Sequence, residues 1–145
     1  MARTVDGLRR LFQRCDTRIN GYTKVKPLGY TPASVLVPLF YRDDAWHVLL
    51  TVRSKHLSSH AGLVAFPGGN ADDSDIDEIA TALREAEEEI GLPPEVVEIV
   101  AVLPQSPVRP SKIVTTVVGV IPTDFKPEIN ETEVHKVLHS PSPDF

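Results

Sequence analysis

Two stretches, Phe66-Pro67-Gly68-Gly69 and, one acidic loop later, Arg84-Glu85-Ala86-Glu87-Glu88-Glu89-Ile90-Gly91-Leu92, decide how this chain folds. At about 100° per residue, Ile79, Leu83, Ala86 and Ile90 share one side of a helix, while Glu85, Glu88 and Glu89 gather on nearly the opposite side and Glu87 points to water. Gly91, with Pro93 and Pro94 just beyond it, is a stop signal, so a helix is predicted from Ile76 to Ile90.

Carboxylates at i, i+3 and i+4 repel one another, each pair costing a few tenths of a kcal/mol. Arg84 stands four residues before Glu88 and can hold that carboxylate, but one guanidinium leaves the face negative. A solvated acidic surface is one reading. The other is a hard divalent cation, Mg²⁺ or Mn²⁺, which prefers clustered carboxylate oxygens. The Gly-Gly turn and the order Arg-Glu-x-x-Glu-Glu-x-Gly favour the cation.

Working outward, Ala33 to Tyr41 is nearly continuous apolar sequence, as a buried central strand requires, and Trp46 to Arg53 pairs with it across the turn Arg42-Asp43-Asp44. Pro38 predicts an edge or a bulge within the first strand. Beyond the helix, Val96 to Leu103 and Lys112 to Ile121 read as strands, joined by the proline-rich loop Pro104 to Ser111, and Glu131 to Leu138 reads as a short helix. Asp72, Asp73, Asp75 and Asp77 add negative charge in the loop before the main helix, where Asp more often caps a helix or offsets its dipole.

Upstream, Gly21 to Pro32 reads as a loop, and Val5, Leu8, Leu11 and Phe12 form an amphipathic helix with Arg9 and Arg10 outward. This Arg-rich segment is either a helix packed on the domain or an organellar transit peptide. The expected organisation is therefore 1–32 basic helix and loop, 33–139 the main domain, and 140–145, Ser140-Pro141-Ser142-Pro143-Asp144-Phe145, a disordered tail.

A chain of 145 residues builds one core, and a formal charge of −5 argues against nucleic acid or an acidic membrane as a partner. No apolar run is long enough for a transmembrane helix, so a soluble protein is expected. Cys15 is the only cysteine, which excludes an internal disulfide and fits a reducing compartment, cytoplasm or an organelle. Within this acidic chain, Arg53, Lys55 and His56 form a basic segment just before the glycine turn, either an anion cradle or a solvated loop. His56 and His60, with no third ligand near, make a poor zinc site.

The order of residues resembles the Nudix box, with Gly69 as its first glycine and Arg84, Glu85, Ala86, Glu88, Glu89, Gly91 and Leu92 matching its second half. Two departures stand out: the first-half acid is Asp75 rather than Glu, and the interval from it to Arg84 is one residue longer. The same lengthening occurs in the coenzyme A diphosphatase branch. Leu49-Leu50-Thr51-Val52-Arg53-Ser54, Gly62 and Phe66-Pro67-Gly68-Gly69 look like that branch's signature, with Ser58 where a basic residue is usual. The resemblance runs from about Ser34 to Val137.

It implies an α/β fold, an α/β/α sandwich around a mixed β-sheet, and hydrolysis of the pyrophosphate of coenzyme A or its acyl derivatives to 3′,5′-ADP and 4′-phosphopantetheine or its acyl form. It further implies metal ligands at the Gly69 carbonyl, Glu85, Glu88 and Glu89, a proton acceptor at Glu85 or Glu88, an orienting Arg84, and substrate contacts at Arg53 and Lys55. Arg109 or Lys112 is a candidate for a phosphate, and Glu133 is either a late metal-binding or proton-accepting carboxylate or a surface residue. Relatives in this branch continue into a further strand and a long helix beyond the point where this sequence stops, so part of the sheet is expected to lie bare or to be covered by a second copy. Another nucleoside diphosphate derivative (ADP-ribose, a dinucleoside polyphosphate, an oxidised nucleotide) and a catalytically silent binding module remain open.

Overall fold

The computed structural model describes residues 2–141. Its main helix, α2, spans Glu78–Ile90. Asp77 is extended and its carboxylate accepts the Ala80 N–H at 2.8 Å, so the helix begins two residues after Ile76. At the other end Gly91 adopts φ 71°, and its N–H reaches the Glu87 carbonyl.

The hairpin is β1 (Thr31–Arg42) and β2 (Ala45–Arg53), joined through Asp43 and Asp44, both at positive φ. On its other flank β1 pairs in parallel with β7 (Lys112–Val120), which in turn pairs antiparallel with β5 (Glu98–Val102) and with β6 (Ser106–Val108), so the sheet is mixed. The strand predicted from Val96 starts at Glu98 because Pro94–Val96 is a turn of 3₁₀ helix, and the proline-rich link contributes β6.

Both faces of β1 are covered, which explains its unbroken apolar run. Leu36 and Phe40 pack with Ala82, Ala86, Ile90 and Val117 under α2. On the opposite face Leu39, Trp46 and Val118 pack against Leu8 of α1 (Val5–Phe12). The N-terminal helix is thus part of the domain, pinned by Trp46 Nε1 to the Ala2 carbonyl and by Arg9 to the Ile99 carbonyl. The layers are α/β/α.

β1 and β2 stay paired only from Leu39 to Arg42 and then part. Into the fork come β3 (Val64–Ala65), which pairs with β2, and β4 (Gly68–Asn70), which pairs with Ala33–Val35 of β1. Pro38, lacking an N–H, sits where the β2 pairing has ended and the Leu36 N–H has turned to the Pro67 carbonyl. The proline therefore marks a fork inside a central strand, not an edge.

One predicted element is corrected. Glu131 to Leu138 is not a helix: 131–133 is a turn, and β8 (Val134–Pro141) runs antiparallel along β2. Val134, Val137 and Leu138 suit a helical stripe on paper, but the free edge of β2 offers the segment main-chain partners along its length. Ser140 and Pro141, assigned to a disordered tail, belong to β8, and 142–145 lie outside the described residues.

Candidate active site

The fork lets side chains from α2 reach the opposite face of the sheet. Glu89, only 4% exposed, accepts the Gly68 N–H at 2.9 Å, and the half-buried Glu85 lies against Gly69. A Cβ on Gly69 would stand 2.5–2.7 Å from the Glu85 carboxyl atoms, and one on Gly68 would collide with the Ser34 carbonyl. The two glycines are there for close approach.

The turn before β8 brings the third acid. Asn130 donates its N–H to the Glu89 carbonyl, Ser54 donates to the Glu133 carbonyl, and one oxygen each of Glu85, Glu89 and Glu133 then lie within 4.8 Å of one another. Burial pushes Glu89 up to about 7, the Gly68 hydrogen bond opposing and the charges of Glu85 and Glu133 reinforcing it. Burial raises Glu85 as well, offset in part by Arg84. Three acids this close, of which Glu85 is also hydrogen-bonded to Arg84, fit a hard divalent cation, for which they supply hard oxygen ligands.

Glu88 stands apart. Its side chain is 48% exposed and receives Arg84 Nη1 at 3.2 Å, outside the group formed by Glu85, Glu89 and Glu133. Arg84 is engaged on every side: Nε and Nη2 each meet an Asp75 oxygen at 3.0 Å, Nη2 also reaches the Asn70 carbonyl, and Nη1 reaches Glu85 at 3.1 Å. These bonds hold the Asp75 carboxyl well below the usual range and staple the acidic loop to the helix. Sequence reasoning gave Asp75 no partner. The available signal was its place as the box's first-half acid, opposite an arginine that already faced several carboxylates.

The trio opens into a cleft of about 560 Å³ floored by Ala33, Val35 and Val114. Arg53 lines it from the end of β2, and its buried Nε has no hydrogen-bond partner among the described residues, while Nη2 lies 3.5 Å from the Ser59 carbonyl. His60 and Lys112 also line the cleft. Lys55, His56 and Arg109 are exposed and do not.

A model of the NUDIX domain matches residues 30–142. The Nudix hydrolases NudL of Shigella flexneri and of Escherichia coli, themselves described as uncharacterized, are 45% identical over 138 residues, covering 95% of this chain and 69% of theirs. Among solved structures, a Caenorhabditis elegans Ap4A hydrolase binary complex superposes with a TM-score of 0.63 at 20% identity, covering 77% of this chain and 80% of that one. The NUDIX domain of Shewanella oneidensis NrtR in complex with ADP ribose does so with a TM-score of 0.58 at 24% identity, covering 85% and 80%. The chain belongs to the Nudix family and has its fold, and Nudix hydrolase is the class that fold and relatives define.

Proposed function

We propose that this Nudix hydrolase cleaves the pyrophosphate linkage of coenzyme A and its acyl derivatives, releasing 3′,5′-ADP and 4′-phosphopantetheine or its acyl form. The observation that carries the reading is the close trio Glu85, Glu89 and Glu133 at a cleft that Arg53 also lines. The substrate class rests on the sequence signature from Leu49 to Gly69.

Glu85, Glu89 and Glu133, with the Gly69 carbonyl beside them, would hold Mg²⁺ or Mn²⁺. Such a cation supplies charge neutralisation at the diphosphate and a lower pKa for an attacking water. Arg53 brings its guanidinium charge to the cleft, and Lys112 adds positive charge there. Lys55, from its exposed position, contributes at most to approach of the anion. Arg84 keeps Glu85 and Glu88 in fixed orientation without reacting, and of these two acids Glu85, which lines the cleft, accepts the water's proton.

The test is incubation of the purified chain with coenzyme A and Mn²⁺ or Mg²⁺, with and without chelator, resolving products by chromatography. Metal-dependent appearance of 3′,5′-ADP is expected. Turnover of ADP-ribose or a dinucleoside polyphosphate with coenzyme A untouched would overturn the substrate. Inertness toward all of them would make the chain a binding module.

A further inference from the structure

On the face of the sheet that carries α2, a second cleft of about 450 Å³ shares no lining residue with the one that holds the carboxylates. Phe40 of β1 and Leu49 of β2 line it from the sheet, Ile121, Phe125 and Ile129 from the segment that follows β7, and Val137 from β8. Its titratable side chains are all basic. Arg42, Lys136 and His139 line it and no acid does among the described residues, although Asp124 and Glu128 stand in the same segment as Phe125 and the chain holds 20 acids to 15 lysines and arginines. Arg42 Nη2 donates to the Thr123 carbonyl at 2.7 Å, which fixes the guanidinium 5.0 Å from the centroid of the Phe40 ring. His139 stands edge-on to the same ring at 5.7 Å. Two donors are thus gathered beside one aromatic ring, and neither Arg42 nor Lys136 is in an ion pair among the described residues.

The walls of this cleft also frame Glu133. The segment after β7 ends where the Glu128 and Asn130 N–H groups donate to the Ile90 and Glu89 carbonyls, at 2.8 and 3.0 Å. β8 begins at the residue after Glu133. Glu133 sits on the turn between the two walls, its N–H bonded to the Asn130 carbonyl at 3.0 Å.

We propose that this cleft is a second ligand site, that it takes a small free carboxylic acid with an aromatic or aliphatic body, and that its occupant, touching both walls, steadies the turn that carries Glu133. The carboxylate meets the fixed guanidinium of Arg42, whose planar fork suits it. The body leaves water against Phe40, Ile121, Phe125 and Ile129. The volume falls within the range of small-molecule sites, about 300–1,000 Å³. An amine would bring like charge to Arg42 and Lys136, and a neutral alcohol would forgo the charge-assisted bond.

The experiment compares three molecules with one body, 4-phenylbutyrate, 4-phenylbutanol and 4-phenylbutylamine, together with octanoate as an aliphatic acid. Binding to the purified chain in chelator is read from amide shifts in NMR spectra. 4-Phenylbutyrate is expected to bind with a Kd on the order of 1 mM, about tenfold more tightly than the alcohol, with the amine weaker still. Arg42→Gln, at an exposed position, should bring the acid down to the alcohol's affinity, and Ile129→Ser should weaken acid and alcohol alike, about fivefold. Equal binding of acid, alcohol and amine, no binding of either acid at roughly ten times the expected Kd, or an affinity unchanged in Arg42→Gln overturns the site. Amide hydrogen exchange then reads the link to Glu133. At saturating 4-phenylbutyrate the Asn130, Glu133 and Val134 amides should slow severalfold relative to those of α1, and a uniform or absent change overturns that link.

Discussion

Asp16 and Glu89 are both carboxylates in the interior, 2% and 4% exposed, and the molecule treats them in opposite ways. Asp16 is fully answered: Arg18 grips both its oxygens, at 2.7 Å on the shorter side, and the Arg18 and Val102 N–H groups donate to it as well. Burial works to raise its pKa, but these bonds outweigh burial and hold it below the usual range. Glu89 has one donor, the Gly68 N–H, and two acids for neighbours. Burial and like charge leave it near 7. A buried charge whose partners come from its own protein is architecture. One left under-compensated, with its neighbours of the same sign, is a place kept for something else.

Exchanging the two acids tests this contrast most severely. Glu89→Gln is expected to lower kcat about a thousandfold, since an anionic ligand becomes a neutral amide, while leaving the metal-free protein at least as stable at pH 8. Asp16→Ala should do the reverse, costing about 2 kcal/mol in denaturant melts because the Val102 N–H loses its acceptor, with kcat/KM unchanged. That figure is discounted because the Arg18 side chain is 41% exposed and water can take over its solvation. Normal turnover by Glu89→Gln at saturating Mg²⁺ would sink the distinction.

A milder probe sharpens it at the trio. In Gly69→Ala the new Cβ meets the end of the Glu85 side chain, which can swing aside, so activity is expected to fall ten- to a hundredfold with the melting temperature nearly constant. A large drop in stability instead would mean that Gly69 serves the fold. The smallest effect is on the pH dependence of stability. Glu89 is raised from its ordinary 4.5 to about 7, so its contribution is complete below pH 4.5 and is lost as pH rises through 7. Asp16 is lowered, so its contribution is present above its ordinary 3.8 and is lost as the solution is acidified below that. Melts in chelator should show the wild type weakening between pH 4.5 and 7, and Glu89→Gln without that slope.

The same contrast explains what could be read in advance. The amphipathic α1, the hairpin and the main helix were legible because each depends on residues a few positions apart, where periodicity and capping act. β8 was not. Its few apolar residues suit a helix or a strand, and the choice fell to the open edge of β2, more than eighty residues earlier in the chain. The pairing of Arg84 with Asp75 depended likewise on a loop folding back on its helix.

By itself the sequence determined the family, the helix that carries the acids and the need for a countercharge, because helical geometry fixes which side chains share a face. Tertiary structure alone decided which acids meet. Glu85 and Glu89 are about 40° apart around the helix and straddle the line that faces the fork, while Glu88 falls to one side and goes to Arg84. The vacancy beside Glu85 and Glu89 is taken by Glu133 from a turn more than forty residues on, fixed by main-chain bonds to Ser54 and Glu89. No local pattern encodes that meeting, since it exists only once the two segments are packed.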